Sequence, residues 1–396
     1  MATVSETRAP RLGAAFREGE RVMPLELFFD LVFVLALTQC TTLMSDNPTW
    51  EGLAQGLLVL ALLWWSWVGY SWFTSVLDPE EGAVRIVVFV VMAAFLIAAL
   101  CIPSVFDDLA LEFALAYAAV RAAQIALMVL ASRDDPALRR STLGLAVGTG
   151  VGIALLIGGS FLDGAGQGTV WAVALLLDMA EPYLFGGEGW RLVPGHFAER
   201  HGLIIIIALG ESIVAIGVGA GGVLTWGIAG AAALGIALTA AMWWLYFDVV
   251  ALVSARRLAR ATVGLEQNAL ARDSYSYIHF LMVAGIVLAA LGLKKTLGNV
   301  DDPLDEVPAF ALLGGVAIYL LGLVAFRYRH VHTINRRRLG LAALLLVLIP
   351  AALELPALAI LAIVGVLLWA LIVSETRGYG EDRVRVRHGD EAPAAR

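Results

Sequence analysis

The chain has little charge and almost no cysteine. Only 15% of its 396 residues are charged, against 60% that are hydrophobic, whereas soluble proteins carry roughly 25% charged residues. This composition excludes a soluble globular protein. Cys40 and Cys101 both fall in apolar runs, and two cysteines are too few for a disulfide framework or a four-cysteine zinc site.

Signatures of common enzymes are missing as well. The sequence contains no GxSxG, P-loop or HExxH, and no GxGxxG that follows a strand pattern. Each of these motifs places a nucleophile, a phosphate or a metal ion in a defined geometry. We therefore predict a protein without enzymatic activity, without a cofactor or metal ion, and without a nucleic-acid partner.

Long apolar runs dominate what is present. Runs near 20 residues recur between positions 24 and 374, and each can cross a hydrocarbon core of about 30 Å. They predict an all-α, polytopic integral membrane protein with the lipid bilayer around it. The predicted helices, twelve in number, lie at about 24–44, 52–76, 84–102, 109–131, 141–160, 168–185, 201–221, 225–253, 274–297, 308–328, 339–354 and 356–374.

Basic residues alternate between the connecting segments. All of the 27 Lys and Arg except Arg121, Lys294 and Lys295 fall on one predicted side of the membrane. Basic loops stay in the cytoplasm, so the pattern predicts a bacterial inner-membrane protein with both termini cytoplasmic. The polar segment at 254–272 can be a basic surface helix or a cytoplasmic connection, and we expect the connection.

A weak internal repeat divides the chain. Residues 28–39 (FFDLVFVLALTQ) align with residues 200–211 (RHGLIIIIALGE) at an offset of 172, although leucine-rich helices often align this well. Because six is an even number of spans, the two halves would have the same orientation in the membrane and would be related by an axis along the membrane normal. The predicted organisation is a cytoplasmic segment without signal-peptide character, a first six-helix half, a second six-helix half and a disordered cytoplasmic tail, at residues 1–22, 23–185, 186–374 and 375–396.

Ionisable side chains inside the apolar runs are the main candidates for function, because each costs about 2.5–3.5 kcal/mol at the centre of a membrane helix. Glu26, Asp30 and Thr41 lie near one stripe of the first helix, which can line a hydrated path or pack through hydrogen bonds. Glu211, in a Gly-Glu-Ser sequence, is a candidate proton or cation site. His279 is a candidate proton relay, since histidine titrates near neutral pH.

A second group of charges lies in the fourth and sixth helices. Arg121 is near the bilayer middle, where an always-charged guanidinium needs a carboxylate partner. Asp178 is the predicted partner, in an ion pair that we interpret as scaffold. The secondary candidates are Glu181, His196, Arg200, His201 and Asp248. Because His196 and His201 are five residues apart rather than four, no zinc helix is predicted.

Three segments resemble the signatures of the bacterial low temperature requirement A (LtrA) family. They are PLELFFDLVFVLALTQ, HFAERHGLIIIIALGESI and YSYIHF, at residues 24–39, 196–213 and 275–280. The resemblance implies an integral membrane protein named for a cold-growth phenotype, with no settled molecular activity.

The first helix is also similar to the Phe-Ser-Asp motif of six-helix-repeat potassium and proton channels. Residues 26–38 carry the similarity, although Phe29 replaces the serine of the motif. The resemblance implies that the first helix lines a pore and that Asp30 occupies the acid position of the motif.

Two hypotheses for function follow from these residues. The first is a channel or transporter for a small cation or proton, with Asp30 and Glu211 as ion sites and His279 as a relay, on a route between the halves. The alternative is a non-conducting membrane protein that supports the envelope or cold adaptation, in which the buried charges serve packing. A homo-oligomer is compatible with both.

Overall fold

A computed structural model describes residues 21–80, 82, 84–185, 189–222 and 224–378. Most of the predicted N-terminal segment, and the predicted tail beyond residue 378, lie outside these residues. The described chain is helical, and its only strand-like pairing is an isolated bridge between Pro303 and Pro356. The all-α prediction is therefore confirmed.

Helices follow one another along the described chain with short connections. The first group is α1 (Pro24–Asp46), α2 (Trp50–Val76), α3 (Val84–Cys101), α4 (Ala110–Ala131), α5 (Pro136–Gly159) and α6 (Gly164–Leu184). The second group is α7 (Pro194–Gly219), α8 (Trp226–Phe247), α9 (Val250–Arg260), α10 (Leu265–Gly298), α11 (Glu306–Val331), α12 (Arg336–Val347), α13 (Ile349–Ala352) and α14 (Ala357–Gly378). Two π-helical turns, Arg272–Ile278 in α10 and Phe310–Gly314 in α11, interrupt otherwise α-helical segments.

Proline and capping residues determine several helix starts. Pro24 and Pro194 lie in the first turns of α1 and α7, where the missing N–H is not needed and the fixed φ favours a helix. At the start of α2, Thr49 Oγ1 accepts the backbone N–H of Gly52 at 3.1 Å, as an N-cap residue does. Because α7 begins at Pro194, it starts well before the predicted residue 201.

Ten helices of the described chain are long and apolar enough to cross a membrane. The chain is thus a multi-pass membrane protein in a lipid environment, as predicted. Two helices of the predicted twelve fall outside this set. α6 carries Asp178 and Glu181, and α12 is only 12 residues long.

The segment at 254–272, expected to be a cytoplasmic connection, is helical except at residues 261–264. α9 ends at Arg260, and α10 begins at Leu265. Ser254 and Leu258 of α9 are buried while Arg257 is exposed. Residues four apart share a helix face, which explains why this basic segment packs as an amphipathic helix.

Two predicted boundaries near the end of the chain also differ. The helix predicted at 339–354 breaks after Val347, and Pro350 lies in the first turn of the short helix that follows, because proline removes a backbone donor. α14 continues to Gly378, so Glu375, expected in the tail, is helical and forms an ion pair with Arg338 at 2.8 Å.

The helices pack in the same order of neighbours in both groups. In the first group α1 contacts α2 and α3, α3 contacts α4, α4 contacts α5, α5 contacts α6, and α6 returns to α2. In the second group α7 contacts α8 and α10, α10 contacts α11, α11 contacts α12, α12 contacts α14, and α14 returns to α8. The groups meet where α1 and α2 pack against α7 and α10.

Backbone contact between α10 and α11 forms the most buried part of the fold. A Cβ on Gly285 would fall 2.6 Å from the carbonyl oxygen of Gly315, and a Cβ on Gly315 would fall 2.6 Å from the amide nitrogen of Ala289. Small residues let helix backbones approach closely in membranes. α10 and α11 are accordingly the most buried of the ten candidate spans.

Candidate functional site

Four ionisable side chains meet where α1 contacts α7. Arg200 donates hydrogen bonds to Glu26 Oε1 at 3.1 Å and to Asp30 Oδ1 at 2.8 Å. His196 Nε2 lies 2.9 Å from Glu26 Oε1. None of the four residues is more than 2% exposed. We call Glu26, Asp30, His196 and Arg200 the interface quartet.

The local sequence explains this arrangement. Glu26 and Asp30 are four residues apart on α1, and His196 and Arg200 are four apart on α7. Residues at this spacing share a helix face, so the packing of α1 on α7 places two acids against two bases. Arg200, which the charge pattern assigned to a cytoplasmic loop, lies inside α7 because the helix begins at Pro194.

Polar side chains of α2 complete the environment of the interface quartet. Trp67 Nε1 donates to Asp30 Oδ1 at 2.9 Å, and Thr74 Oγ1 accepts from Arg200 at 3.3 Å. Ser75 Oγ lies 3.0 Å from His196 Nδ1. Sequence reasoning missed these three residues. Their helical spacing along one side of α2 was an available signal.

The interface quartet contains two carboxylates and one permanent cation. Because a guanidinium keeps its proton, the net charge is −1 with neutral His196 and zero with protonated His196. The Ser75 hydroxyl can donate to His196 Nδ1 or accept from it, and this side chain can therefore satisfy both protonation states.

A space of about 10 Å³ adjoins Glu26 and Arg200. It is close to the minimum volume that one water molecule needs, about 10–15 Å³. The space is large enough for one water molecule, which could exchange a proton with the interface quartet. It is too small for a hydrated metal cation.

Glu211 lies at a second level of the α1–α7 contact. Thr38 Oγ1 donates to Glu211 Oε2 at 2.6 Å. The Thr41 hydroxyl, which donates to the Leu37 carbonyl at 3.1 Å, lies close to this carboxylate. The structure thus brings Glu211 and Thr41 together, and it adds Thr38, which sequence reasoning missed. Eleven residues separate Arg200 from Glu211, which is about 16 Å along a helix.

Apolar side chains separate the two polar levels. Phe33 of α1 and Ile204 of α7 are both fully buried and lie between the levels in sequence. In the part of the chain that the structure describes, no hydrogen bond links the interface quartet to Glu211. The two levels are therefore distinct sites along one helix contact.

His201 and His279 belong to an aromatic cluster outside the interface quartet. Their ring centroids are 5.3 Å apart, and His279 stacks on Tyr275 at 5.4 Å. His279 Nε2 lies 3.2 Å from the Tyr246 hydroxyl. Among the described residues, no hydrogen bond joins His279 to Asp30 or Glu211, the groups between which it was predicted to relay protons.

The remaining candidates are dispersed. His201 Nδ1 lies 2.8 Å from the carbonyl oxygen of Phe197. Asp248 follows α8, where its backbone N–H donates to the Trp244 carbonyl at 3.1 Å. Within the described ranges, no group of three or more His, Cys, Asp or Glu residues is arranged to hold a metal ion.

Arg121 of α4 and Asp178 of α6 are in direct contact. Arg121 Nη2 donates to the two carboxylate oxygens of Asp178 at 2.7 and 2.8 Å, and Nη1 donates to Gln124 Oε1 at 2.8 Å. Thr149 Oγ1 accepts from Arg121 at 3.0 Å and donates to Asp178 at 3.1 Å. The structure joins the two residues that were paired on depth alone, and Glu181 lies beside them.

Comparison with known proteins agrees with the sequence motifs. The chain matches the family model for the bacterial low temperature requirement A protein (LtrA) over residues 21–373. An uncharacterized protein of Rhizobium meliloti (strain 1021) is 30% identical over 308 residues, which is 75% of each chain. No solved structure was found to match. The chain belongs to the bacterial low temperature requirement A family.

Proposed function

We propose that the protein transports protons across the membrane between its two groups of helices. The interface quartet carries this proposal, because two buried carboxylates face one arginine and one histidine across the α1–α7 contact. His196 can bind or release one proton and so change the charge of the site. In both states its ring nitrogens keep their hydrogen-bond partners, Glu26 and Ser75. A small metal cation is the alternative substrate.

The transport route requires a change in conformation. The interface quartet and Glu211 lie at separate levels, with buried Phe33 and Ile204 between them. A carrier that alternates between states fits this arrangement better than an open pore does. Asp30 accepts hydrogen bonds from Arg200 and Trp67. The first helix would therefore line a pore, as its resemblance to the channel motif implies, only in a state in which the α1–α7 contact is open.

We further propose twelve crossing helices arranged as a 6+6 parallel repeat, with halves at 23–185 and 186–374. The common order of helix neighbours in the two groups supports the repeat. In this arrangement α6 also crosses the membrane, and α12 crosses it together with α13. Pairing of Asp178 with Arg121 lowers the cost of placing α6 in the bilayer.

The proposed location is the bacterial inner membrane with both termini in the cytoplasm. Nearly all of the 27 Lys and Arg lie on one predicted side of the membrane, and basic segments stay in the cytoplasm, which supports this orientation. Proton transport needs no enzymatic step, and it is compatible with either a monomer or a homo-oligomer.

Reconstitution into liposomes tests the proposal. Wild-type protein should dissipate a pH gradient reported by an entrapped dye, while folded Asp30→Asn and Glu211→Gln should slow the flux at least about tenfold. Glu112→Gln, at an exposed position of α4, is the matched control. Flux of K⁺ or Na⁺ without H⁺ would show that the transported ion is a metal cation and not a proton. Absence of flux under all three gradients would favour the non-conducting alternative, in which the charges serve packing.

A further inference from the structure

A cavity of about 270 Å³ lies between α2, α4, α5, α6 and the start of α10. One water molecule needs only about 10–15 Å³, so this space suits a compact organic solute rather than a single bare ion. The lining includes three tryptophans and four charged residues, Trp65, Trp72, Trp190, Arg121, Asp178, Glu181 and Arg272. No member of the interface quartet lines the cavity.

Glu181 is the lining carboxylate that forms no ion pair among the described residues, although the charge of Arg121 acts on it. Arg121 is already paired with Asp178 at 2.7 Å. Glu181 is 4% exposed, its Oε2 lies 3.4 Å from Thr149 Oγ1, and its Oε1 accepts no hydrogen bond. A buried carboxylate with so few partners is costly, and an incoming cation would remove that cost.

Two glycines make room for polar side chains that line the cavity. A Cβ on Gly148 would overlap Glu181 Oε1, and a Cβ on Gly69 would overlap Gln124 Nε2. Gln124 Oε1 in turn accepts from Arg121 at 2.8 Å. The shapes of two helices, α2 and α5, are therefore adapted to hold this polar network.

Indole rings also line the cavity. Trp72 Nε1 donates to Ser276 Oγ at 2.9 Å, which fixes the ring. The ring centroids of Trp72 and Trp190 are 5.6 Å apart in an edge-to-face arrangement. Aromatic faces attract cations, indole most strongly, and several such rings together bind quaternary ammonium groups.

Arg272 lines the end of the cavity nearest α10, but its charge is largely engaged elsewhere. Its guanidinium lies 3.8 Å from the Tyr183 ring centroid and 2.8 Å from Asp273, which also binds Arg329. These side chains are 21–33% exposed, so solvent and salt screen them. Glu181 is therefore the lining carboxylate that remains available to balance the charge of a cationic ligand.

We propose that this cavity binds a compact organic cation that carries a quaternary or protonated ammonium group. Glu181 balances the charge of the ligand, and the rings of Trp65, Trp72 and Trp190 pack around its apolar groups. The site goes beyond the proposed proton transport, because it uses other residues on other helices and can be tested without any flux measurement.

Calorimetric titration of the purified protein in detergent with choline tests the assignment. The neutral isostere 3,3-dimethylbutan-1-ol has a similar shape without the charge. We expect saturable choline binding to the wild type that is at least about tenfold tighter than binding of the isostere. Folded Glu181→Gln should weaken choline binding by at least about tenfold, while Glu112→Gln should leave it unchanged.

Two further variants keep the test decisive. Gly148→Ala should displace the Glu181 carboxylate and weaken binding while all charges remain. Should Glu181→Gln fail to fold, Trp65→Leu must weaken choline binding more than binding of the isostere. The assignment is wrong if folded wild-type protein does not bind choline saturably, if the isostere binds equally well, or if these variants bind choline like the wild type.

Discussion

Arg200 joins two acids of α1 to α7 through one guanidinium group. Its Nη1 contacts Glu26 and its Nη2 contacts Asp30, while Cζ lies 5.4 Å from the centroid of the Trp67 ring. The planar fork of arginine allows this bridge, which the single ammonium group of lysine cannot reproduce. The helix contact therefore depends on this side chain for both charge and geometry.

Replacing this arginine should destabilise the protein strongly. We expect Arg200→Gln to lower the free energy of unfolding by about 3–5 kcal/mol, because two buried carboxylates lose their cation. Thermal unfolding in detergent measures the effect. Arg139→Gln, at an exposed position of α5, should change stability by less than about 0.5 kcal/mol. Equal stability of the two variants would contradict the pairing.

The Arg121–Asp178 pair permits a sharper test, since both partners can be replaced together. Arg121→Leu alone should cost about 3–5 kcal/mol, because it leaves Asp178 buried and unpaired. Arg121→Leu combined with Asp178→Leu should recover most of that loss, because hydrophobic replacement of a buried pair is often nearly neutral. Additive losses in unfolding measurements would show that the pair does not interact.

The sequence identified the members of the interface quartet but not their contact. Each pair follows from the four-residue period of a helix, and Glu26 and Asp30 were recognised together on that basis. The meeting of α1 with α7 depends on the packing of all neighbouring helices, which no local pattern specifies. Asp178 was assigned to Arg121 because both lie at a similar depth, and that criterion was sufficient.

Helix boundaries were predictable where an apolar run coincides with the helix itself. α7 departs from this rule, because Pro194 starts the helix while the apolar run begins only after His201. The first two turns were consequently interpreted as a basic loop, although they lie in the buried helix contact. The chemistry of the site is thus located at the point where hydropathy is least informative.

Close packing of α10 and α11 gives a prediction at the scale of the helix pair. Gly285→Ala should lower the free energy of unfolding by about 1–3 kcal/mol, because the added methyl group meets the backbone of α11. Gly210→Ala, where nothing lies within 4 Å of the added carbon, should be neutral or stabilising by about 0.5–1 kcal/mol. Similar unfolding temperatures for both variants would argue against backbone contact between these helices.

The whole molecule combines one charge pattern with two similar sets of helix neighbours. Both the alternation of basic loops and the order of contacts are consistent with halves of equal orientation. Length and composition alone identify ten candidate spans. The difference from twelve lies in α6, whose buried Asp178 and Glu181 lower its apparent hydropathy, and in α12, which is only 12 residues long.

Labelling of single cysteines determines whether α6 crosses the membrane. Cys40 and Cys101 are buried and can be replaced by alanine to give the background protein. In intact cells, a membrane-impermeant maleimide should label Asp163→Cys, before α6, and should label Arg191→Cys, after α6, only once the cells are permeabilised. Labelling of both from the same side would contradict the twelve-helix arrangement.

Proton flux through His196 tests the central claim most directly. Liposomes with an inward pH gradient should lose it rapidly when they contain wild-type protein or His332→Gln, a control at an exposed histidine. Folded His196→Gln at the same protein amount should slow this flux at least about tenfold, because the buried site then lacks its titratable base. Equal proton flux through all three proteins, or none through the wild type, would contradict the account.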